Sequence, residues 1–403
     1  MVISLHQNLL MKEKNQFRSL DQIAFSNFSD TPWPCYTPPF SEELLTSWLT
    51  RTARNHLVRF YSFCSSNFAG CEFWNRDLDR FLPTVIEKKI QSKCVLKENQ
   101  LQSMLLTSFS PNIFLAHPET KSFWITLLNF YLNNRKHHYG MAVCPECLRR
   151  DGETPFYRKS WRLALSMVCT KCHCRLIDSC PQCNAPINFL LAERGNKFQA
   201  PLYPITSCWK CMHLLSKAPF MHASEVSIRT QEVIDNYILT GCARERGILF
   251  SHLYFDVLKK IISIFNKRGI TDLIKLQEII CDKTGLPFLE PQGNKTHPFN
   301  TYRITIRSNL LQKAFWLLED WPDRFRETTK ECGLKSKFFL DDFKEAPYWF
   351  KKEIDENNKV VFSQWRKSYP GFSYSSFNEF SEWQFSKASN KKPVGKNLRL
   401  RHV

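Results

Sequence analysis

The sequence predicts a mostly α-helical protein in which a small metal-binding module lies between two helical domains. Apolar residues recur three and four positions apart through much of the chain, which is the spacing of amphipathic helices. Four Cys-x2-Cys pairs are concentrated within residues 144–211. With 403 residues and 43% hydrophobic content, the chain is long enough for two or three domains with hydrophobic cores.

The chain is strongly basic, with a formal net charge of +18 and an isoelectric point near 9.3. This charge favours an anionic polymer or an acidic protein as a partner. The first thirty residues contain no long apolar run followed by a small-residue cleavage site, and no apolar stretch approaches the length that spans a bilayer. We therefore expect a cytoplasmic protein.

A flexible extension (1–30) is predicted to precede a helical N-terminal domain (31–135). The clearest helix of this domain is marked by Leu45, Trp48 and Leu49, with Ser41 placed to cap its first amides. Further helices are predicted at 60–68, 74–81, 97–107 and 123–131.

The central region (136–215) is predicted to be a tandem zinc-binding module. A two-residue spacer lets a tight turn point two sulfurs at one ion, and two such pairs complete a tetrahedral shell around zinc. Spacers of 21, 7 and 24 residues separate the pairs, so the simplest assignment gives the first two pairs one zinc and the last two a second; a cross-braced pairing stays open. The eight predicted ligands are Cys144, Cys147, Cys169, Cys172, Cys180, Cys183, Cys208 and Cys211.

Two zinc ions per chain held in this way are predicted to be structural. A site closed by four protein ligands has no position for water or substrate, so it stabilises a fold and does not polarise a bond. Trp161, Leu163 and Leu165 are predicted to form the small core beside the metal. His137 and His138 lie close enough in sequence to be considered as ligands, but the cysteines already complete both shells.

A helical C-terminal domain (216–385) and a basic tail (386–403) are predicted to follow. Its helices are predicted at 225–239, 249–265, 272–281 and 307–318, with breaks near Gly247, Gly269 and Gly285.

Residues 323–343 have the outline of a helix-turn-helix, with the turn at Gly333. In that arrangement Lys335, Ser336 and Lys337 stand at the start of the second helix, where such motifs meet nucleic acid. Any two short helices joined at a glycine give the same pattern, and Asp341 and Asp342 weaken the case for DNA contact.

No catalytic motif is recognisable in the sequence. A Gly-x4-Gly-Lys-Ser/Thr phosphate loop and a nucleophile elbow are both absent, which argues against an ATPase or a serine hydrolase. The acidic residues Asp77, Asp79, Asp341 and Asp342 are conceivable metal ligands of a nuclease, but acidic pairs of this kind usually lie on solvated faces. The chain is predicted not to be an enzyme, and a zinc-containing nucleic-acid enzyme is the alternative from another class.

Several ordered motifs lie between residues 31 and 215. They are Pro32-Trp-Pro, Tyr36-Thr-Pro-Pro-Phe-Ser-Glu-Glu-Leu-Leu-Thr-Ser-Trp-Leu-Thr-Arg, Trp74-Asn-Arg-Asp-Leu-Asp, Tyr139-Gly, Cys144-Pro-Glu-Cys-Leu, Pro155-Phe-Tyr-Arg, Trp161-Arg-Leu-Ala and Cys180-Pro-Gln-Cys. Together they resemble the TniQ family of bacterial transposon proteins, which is related to the target-selection protein TnsD. In that family the second cysteine pair is usually Cys-x2-His, whereas here Cys169-Thr-Lys-Cys172 is followed by His173. The departure leaves open whether Cys172 or His173 is the fourth ligand of the first site.

The resemblance implies a non-catalytic adaptor that selects the DNA target of a transposition machine. Two mechanisms fit. As in shorter TniQ proteins, the chain would ride on an RNA-guided CRISPR Cascade complex, often as a homodimer, and connect it to an AAA+ transposition regulator and the transposase. As in TnsD-like relatives, it would itself bind an attachment sequence on DNA. A length near 400 residues with one plausible helix-turn-helix favours the first mechanism.

Overall fold

The computed structural model describes residues 32–71, 77–114, 127, 139–193, 201, 203–291, 299–334, 337–343 and 345–356. Across these residues the mostly helical fold is confirmed: thirteen α-helices accompany a single two-stranded sheet. The predicted extension (1–30), the helix predicted at 123–131 (apart from Leu127) and the basic tail (386–403) lie outside the described residues. Among the described helices, none combines the length and apolar composition needed to cross a bilayer.

The N-terminal region begins with two packed helices, α1 (Leu45–Asn55) and α2 (Phe60–Asn67). The predicted cap at Ser41 is wrong, because α1 begins at Leu45 and Leu44 occupies the cap position without a side-chain hydrogen bond. The chain turns at Glu42, which has a φ of 65°. The buried carboxylate of Glu43 lies beside α1 and accepts hydrogen bonds from Ser47 Oγ at 2.9 Å and from the Arg51 guanidinium.

The rest of the N-terminal region departs from the sequence prediction. Helix α3 (Thr84–Lys93) was not predicted, although Ile86 and Ile90 form its buried stripe. The helix predicted at 97–107 is instead one α-turn, α4 (Gln100–Ser103), followed by a 3₁₀ turn (Leu106–Phe109). Of the helix predicted at 74–81, residues 77–81 form a turn and not a helix.

The central region contains little regular structure. It has the short helix α5 (Pro145–Arg150), a 3₁₀ turn (Lys159–Arg162), the hairpin of β1 (Val168–Cys169) and β2 (Cys174–Arg175), and the short helix α6 (Phe189–Ala192). The two strands are antiparallel and pair Val168 with Arg175. Chain segments this short cannot build a hydrophobic core alone, so other interactions must stabilise them.

The C-terminal helices follow the apolar spacing closely. The predicted breaks at Gly247, Gly269 and Gly285 are present, and each glycine has a positive φ that ends a turn or a helix. The described helices are α7 (Glu225–Thr240), α8 (Ser251–Phe265), α9 (Thr271–Thr284), α10 (Ile304–Glu319), α11 (Asp323–Glu331), α12 (Lys337–Leu340) and α13 (Tyr348–Glu356).

Two hydrophobic clusters form the interior. The first joins α1–α4 to the central cysteines, and the second is built from the C-terminal helices. The predicted small core beside the metal is divided between them, because Trp161 belongs to the first cluster whereas Leu163 and Leu165 belong to the second. Residues 161–168 therefore connect the two clusters.

A buried ion-pair network lies at this connection. The Arg162 side chain, 1% exposed, donates to the carboxylates of Asp77 and Asp79 and to the Leu127 carbonyl oxygen. Asp79 in turn accepts from the backbone N–H and the hydroxyl of Thr46, at 2.9 and 2.8 Å. The network thus ties the first turn of α1 to the segment between the two cores.

Replacing Arg162 with methionine is expected to destabilise the protein strongly, because two buried carboxylates would lose their cation. Breaking a buried ion pair in this way costs about 3–5 kcal/mol. The measurement is urea unfolding followed by circular dichroism. Arg244→Met, at an exposed position, is the control and should change the stability by less than about 0.5 kcal/mol. Equal unfolding midpoints for the two variants would contradict this role of Arg162.

Candidate metal centres

The first group of sulfurs combines the first two cysteine pairs. The Sγ atoms of Cys144, Cys147, Cys169 and Cys172 all lie within 4.8 Å of one another. Cys147 Sγ is 3.6 Å from Cys169 Sγ and 3.5 Å from Cys172 Sγ. Four sulfurs this close can hold one tetrahedral metal ion.

Two local structures bring these sulfurs together. Cys144 stands at the N-cap of α5, where its sulfur accepts a hydrogen bond from the Cys147 backbone N–H at 3.3 Å. Cys169 ends β1, and Cys172 lies in the turn that leads to β2. His173 closes this turn with a φ of 52°. The group of four sulfurs includes Cys172 and not His173, which favours Cys172 as the fourth candidate ligand.

The second group combines the last two cysteine pairs, whose four Sγ atoms also lie within 4.8 Å of one another. The closest approaches are 3.6 Å between Cys180 and Cys211 and 3.6 Å between Cys183 and Cys208. The pairs therefore associate in chain order, first with second and third with fourth, and the arrangement is not cross-braced.

The two knuckles of the second group repeat one backbone pattern. In the first knuckle, around Cys180 and Cys183, the Cys180 N–H donates to the Ala185 carbonyl and the Asn184 N–H donates to the Cys180 carbonyl, both at 2.8 Å. The second knuckle has the same pair of hydrogen bonds. The Cys208 N–H donates to the His213 carbonyl at 2.8 Å, and the Met212 N–H donates to the Cys208 carbonyl at 2.9 Å.

Each knuckle places a non-glycine residue in the left-handed region to close its turn. Asn184 has a φ of 56° and Met212 a φ of 62°. This conformation costs an L-residue free energy, so the surrounding hydrogen bonds must hold it in place. The repetition indicates two turns built to present sulfur atoms in the same way.

The electrostatics of the second group favour a cation. Burial raises the pKa of the Cys208 thiol to about 12, because a thiolate is poorly solvated inside the protein. Cys211 is exposed, and a hydrogen bond from the His213 backbone N–H lowers the pKa of its thiol to about 7. Thiolate is the form that binds metal, and a divalent cation would compensate the cost of burying several such anions.

Both groups are closed by sulfur. Among the residues that the structure describes, they are the groups in which three or more Cys, His, Asp or Glu side chains approach closely enough to hold an ion. Four thiolates fill the shell that zinc prefers, and no ligand position remains for water or substrate. The donor set therefore fits a structural metal ion and not a hydrolytic one.

Cys174 is a further thiol that the sequence prediction did not assign. Its buried sulfur lies 3.3 Å from Cys144 Sγ, although it does not belong to the group of four. Its position follows from the hairpin register, which pairs Cys174 with Cys169. The odd cysteine two residues after Cys172 was the available signal in the sequence.

The candidate nucleic-acid residues are only partly described. Lys335 and Ser336 lie outside the described residues, and Lys337 begins α12, a helix of four residues. The predicted turn is present, since Gly333 follows α11 with a φ of 71°. His137 and His138 also lie outside the described residues. Contact between residues 335–337 and nucleic acid stays a prediction.

The four carboxylates that are conceivable nuclease ligands do not belong to any metal-binding group among the described residues. Asp77 and Asp79 are paired with Arg162, while Asp341 and Asp342 are exposed in the turn after α12. A carboxylate already neutralised by a guanidinium is a poor ligand for magnesium. The importance of Arg162 was not predicted, because nothing in a single sequence marks which arginine is buried.

Comparison with known protein families found a match in the N-terminal part of the chain. Residues 34–176 match the family model of TniQ. This stretch of the chain is similar to TniQ proteins. The TniQ match spans α1, the Arg162 network and all four cysteines of the first group, and it ends before the second group. No curated protein matches the chain.

The match confirms the resemblance to TniQ that the sequence motifs indicated. It also gives the structural features a context. The buried residues of the matched region form one hydrophobic cluster with cysteines of both groups, so neither group is an appended finger.

Freshly purified, reduced protein is expected to contain two zinc ions per chain, because each closed group of four thiolates can hold one ion. The measurement is elemental analysis by mass spectrometry. A stoichiometry of one or none would show that at least one group is not a metal site.

Cys180→Ser is expected to reduce the zinc content from two ions to one and to unfold the region around the second group. A hydroxyl replaces a thiolate, and the remaining three sulfurs no longer close the shell. Limited proteolysis between 180 and 211 measures the unfolding. Cys35→Ser, at an exposed cysteine outside both groups, is the matched control and should retain both ions.

Proposed function

We propose that this protein is a non-catalytic target-selection adaptor of a bacterial transposon. In this role it links a target-recognition complex, of the RNA-guided CRISPR Cascade type, to an AAA+ transposition regulator and through it to the transposase. The observation that carries the proposal is the TniQ domain at residues 34–176. A homodimer is the assembly we propose for the adaptor.

The metal centres support a structural role for zinc. Each centre is closed by four cysteines, so the ion would stabilise the fold and would not activate water. The first centre would fix α5 to the β1–β2 hairpin, and the second would join the two repeated knuckles. Zinc would in this way provide a rigid surface for partner proteins.

The charge on α11 favours an adaptor over direct recognition of DNA. This helix would be the first helix of the helix-turn-helix. Three of its four exposed positions carry acids, and its half-buried Arg324 and Arg326 are paired with carboxylates. Asp320, just before it, is also exposed. Like charges repel the phosphate backbone, and α12 spans only one turn, which is short for a helix that enters the major groove. The four exposed positions are Asp323, Glu327, Lys330 and Glu331.

Direct binding to an attachment sequence, as in TnsD-like proteins, is the second candidate. The net charge of +18 favours it, because a basic protein is attracted to DNA whatever the sequence. The two mechanisms differ in selectivity. A protein that reads bases binds its site on the order of a thousandfold or more tighter than random duplex.

Binding of the isolated protein to duplex DNA is expected to be weak, indifferent to sequence and strongly reduced between low and physiological salt. Such binding depends on phosphate contacts alone, which release counterions. Gel-shift titrations against a library of duplexes at several salt concentrations measure it. A tight footprint on one sequence would contradict the adaptor mechanism and support the TnsD-like alternative.

Replacing Lys335 and Lys337 with alanine should alter this nonspecific affinity only modestly. Lys88→Ala/Lys275→Ala removes the same charge at exposed positions in other parts of the structure and is the matched control. Under the adaptor mechanism both double variants behave alike, because only net charge matters. Loss of a sequence-selective footprint in the first variant alone would assign base recognition to residues 335–337.

The protein alone is expected not to cleave or join DNA in magnesium or manganese, since closed metal sites and a neutralised Asp77–Asp79 pair provide no reactive metal centre. Incubation with supercoiled, linear and branched DNA checks this. An activity that persists through independent preparations and is lost in a point variant would favour the zinc-containing nucleic-acid enzyme.

A further inference from the structure

A fifth cysteine sulfur lies against the first metal centre. Cys174 Sγ is 3.3 Å from Cys144 Sγ, which is shorter than the distances of 3.6 and 3.5 Å from Cys147 Sγ to the sulfurs of Cys169 and Cys172. Cys174 does not belong to the group of four, and four sulfurs already complete a tetrahedral shell. The proposed function gives this buried thiol no role.

Cys144 is the acceptor in this contact. Its sulfur also accepts the hydrogen bond from the Cys147 N–H at the start of α5, and it is one of the four sulfurs that would bind the ion as thiolates. A thiolate has no proton to donate. The proton between the two sulfurs therefore belongs to Cys174, which lies outside the shell.

The burial of Cys144 explains why a donor from the protein is needed. Cys144 is 0% exposed, whereas Cys169 and Cys172 are half-buried. Four thiolates around a divalent ion carry two negative charges that the ion does not balance. Water can solvate part of this charge at the half-buried sulfurs, but it does not reach Cys144. A buried anion of this kind requires hydrogen-bond donors from neighbouring residues.

Backbone pairing on both sides holds Cys174 in place. On one side β2 pairs Cys174 with Cys169 of β1, and on the other side Cys174 forms an antiparallel bridge with His222. The next residue, Arg175, donates its N–H to the Met221 carbonyl at 2.8 Å. A donor whose backbone is fixed from two sides is preorganised for one acceptor.

The second centre has no equivalent of Cys174. Among the described residues, which include all sixteen cysteines, no fifth sulfur makes a hydrogen-bonding contact with the second group. Its Cys208 sulfur accepts from a backbone group instead, the Lys210 N–H at 3.4 Å. The second centre therefore provides an internal control within the same chain.

We propose that Cys174 is a positioning residue of the first metal centre, where its thiol donates a hydrogen bond to the Cys144 thiolate. The bond disperses the charge of the most deeply buried sulfur and holds that sulfur towards the ion. Cys174 does not bind the ion itself. Partners that hydrogen-bond a metal ligand in this way typically change metal affinity by about 10–100-fold.

Zinc release from the full-length, zinc-loaded protein tests this role. Cys174→Val removes the donor but keeps a side chain of similar size that suits a β-strand, and Cys174→Ala removes the donor by a second route. Both variants should retain two zinc ions and lose the first about tenfold faster to excess chelator. Cys174→Ser keeps a hydroxyl donor, so its release rate should stay within about twofold of the original.

The two centres are followed separately in this experiment. Cysteines that have lost their ion are labelled with N-ethylmaleimide and located by peptide mass spectrometry. Release from the second centre should be the same in all three variants, because Cys174 makes no contact there. Cys64→Ala removes a buried sulfur from the same hydrophobic cluster, away from both groups, and should leave both release rates unchanged.

Cobalt(II) substitution gives a readout that packing alone does not change. The sulfur-to-cobalt charge-transfer band moves to lower energy when a thiolate loses a hydrogen-bond donor, because second-shell donors tune the metal–ligand bond. Cys174→Val and Cys174→Ala should therefore shift this band to longer wavelength, and Cys174→Ser should restore it. The d–d bands, which report four sulfur ligands, should be the same in every variant.

Four results would overturn the proposal. A zinc content of one ion in Cys174→Val and Cys174→Ala would show that Cys174 is a ligand. Identical release rates and cobalt spectra in Cys174→Ser and Cys174→Val would show that the side chain acts through packing. Faster release from both centres would show a general loss of stability, and no change at all would show that the contact is without effect. None of these outcomes bears on the adaptor function, whose test is DNA binding.

Discussion

The buried guanidinium of Arg162 is the interaction on which the two halves of the described structure depend. It pairs with the carboxylates of Asp77 and Asp79 and donates a hydrogen bond to the Leu127 carbonyl. Asp79 also accepts hydrogen bonds from Thr46 in the first turn of α1. Its own segment runs from the first hydrophobic cluster into the second. A charge placed so deeply is costly unless every partner is present, so the network also specifies a single arrangement of these elements.

The metal centres solve a different problem, which is how to order a region with almost no regular structure. Between α5 and α7 the described chain has one hairpin of two-residue strands and a few single turns. Such segments bury too little apolar surface to offset their loss of conformational entropy. Two ions bound by eight thiolates would supply that free energy directly, in addition to the hydrogen bonds that close the knuckle turns at Asn184 and Met212.

The sequence predicted the features that depend on local spacing. The C-terminal helices appear at the positions that their apolar periodicity indicated, and the cysteine pairs lie together as their x2 spacing implied. Prediction failed where long-range contacts decide the structure. Ser41 is a good cap residue, yet Glu43 takes part in an ion pair with Arg51 and α1 begins beyond it. Arg162 and Cys174 gained their roles from partners more than twenty residues away, which periodicity does not detect.

The order in which the cysteine pairs associate has a consequence for biosynthesis. Because the first pair joins the second and the third joins the fourth, each centre is complete before any later ligand leaves the ribosome. Domains generally fold as units from the N-terminal side during translation. The first centre could therefore close once Cys172 has emerged, before the thiolates of the later pairs are available to compete for its metal ion.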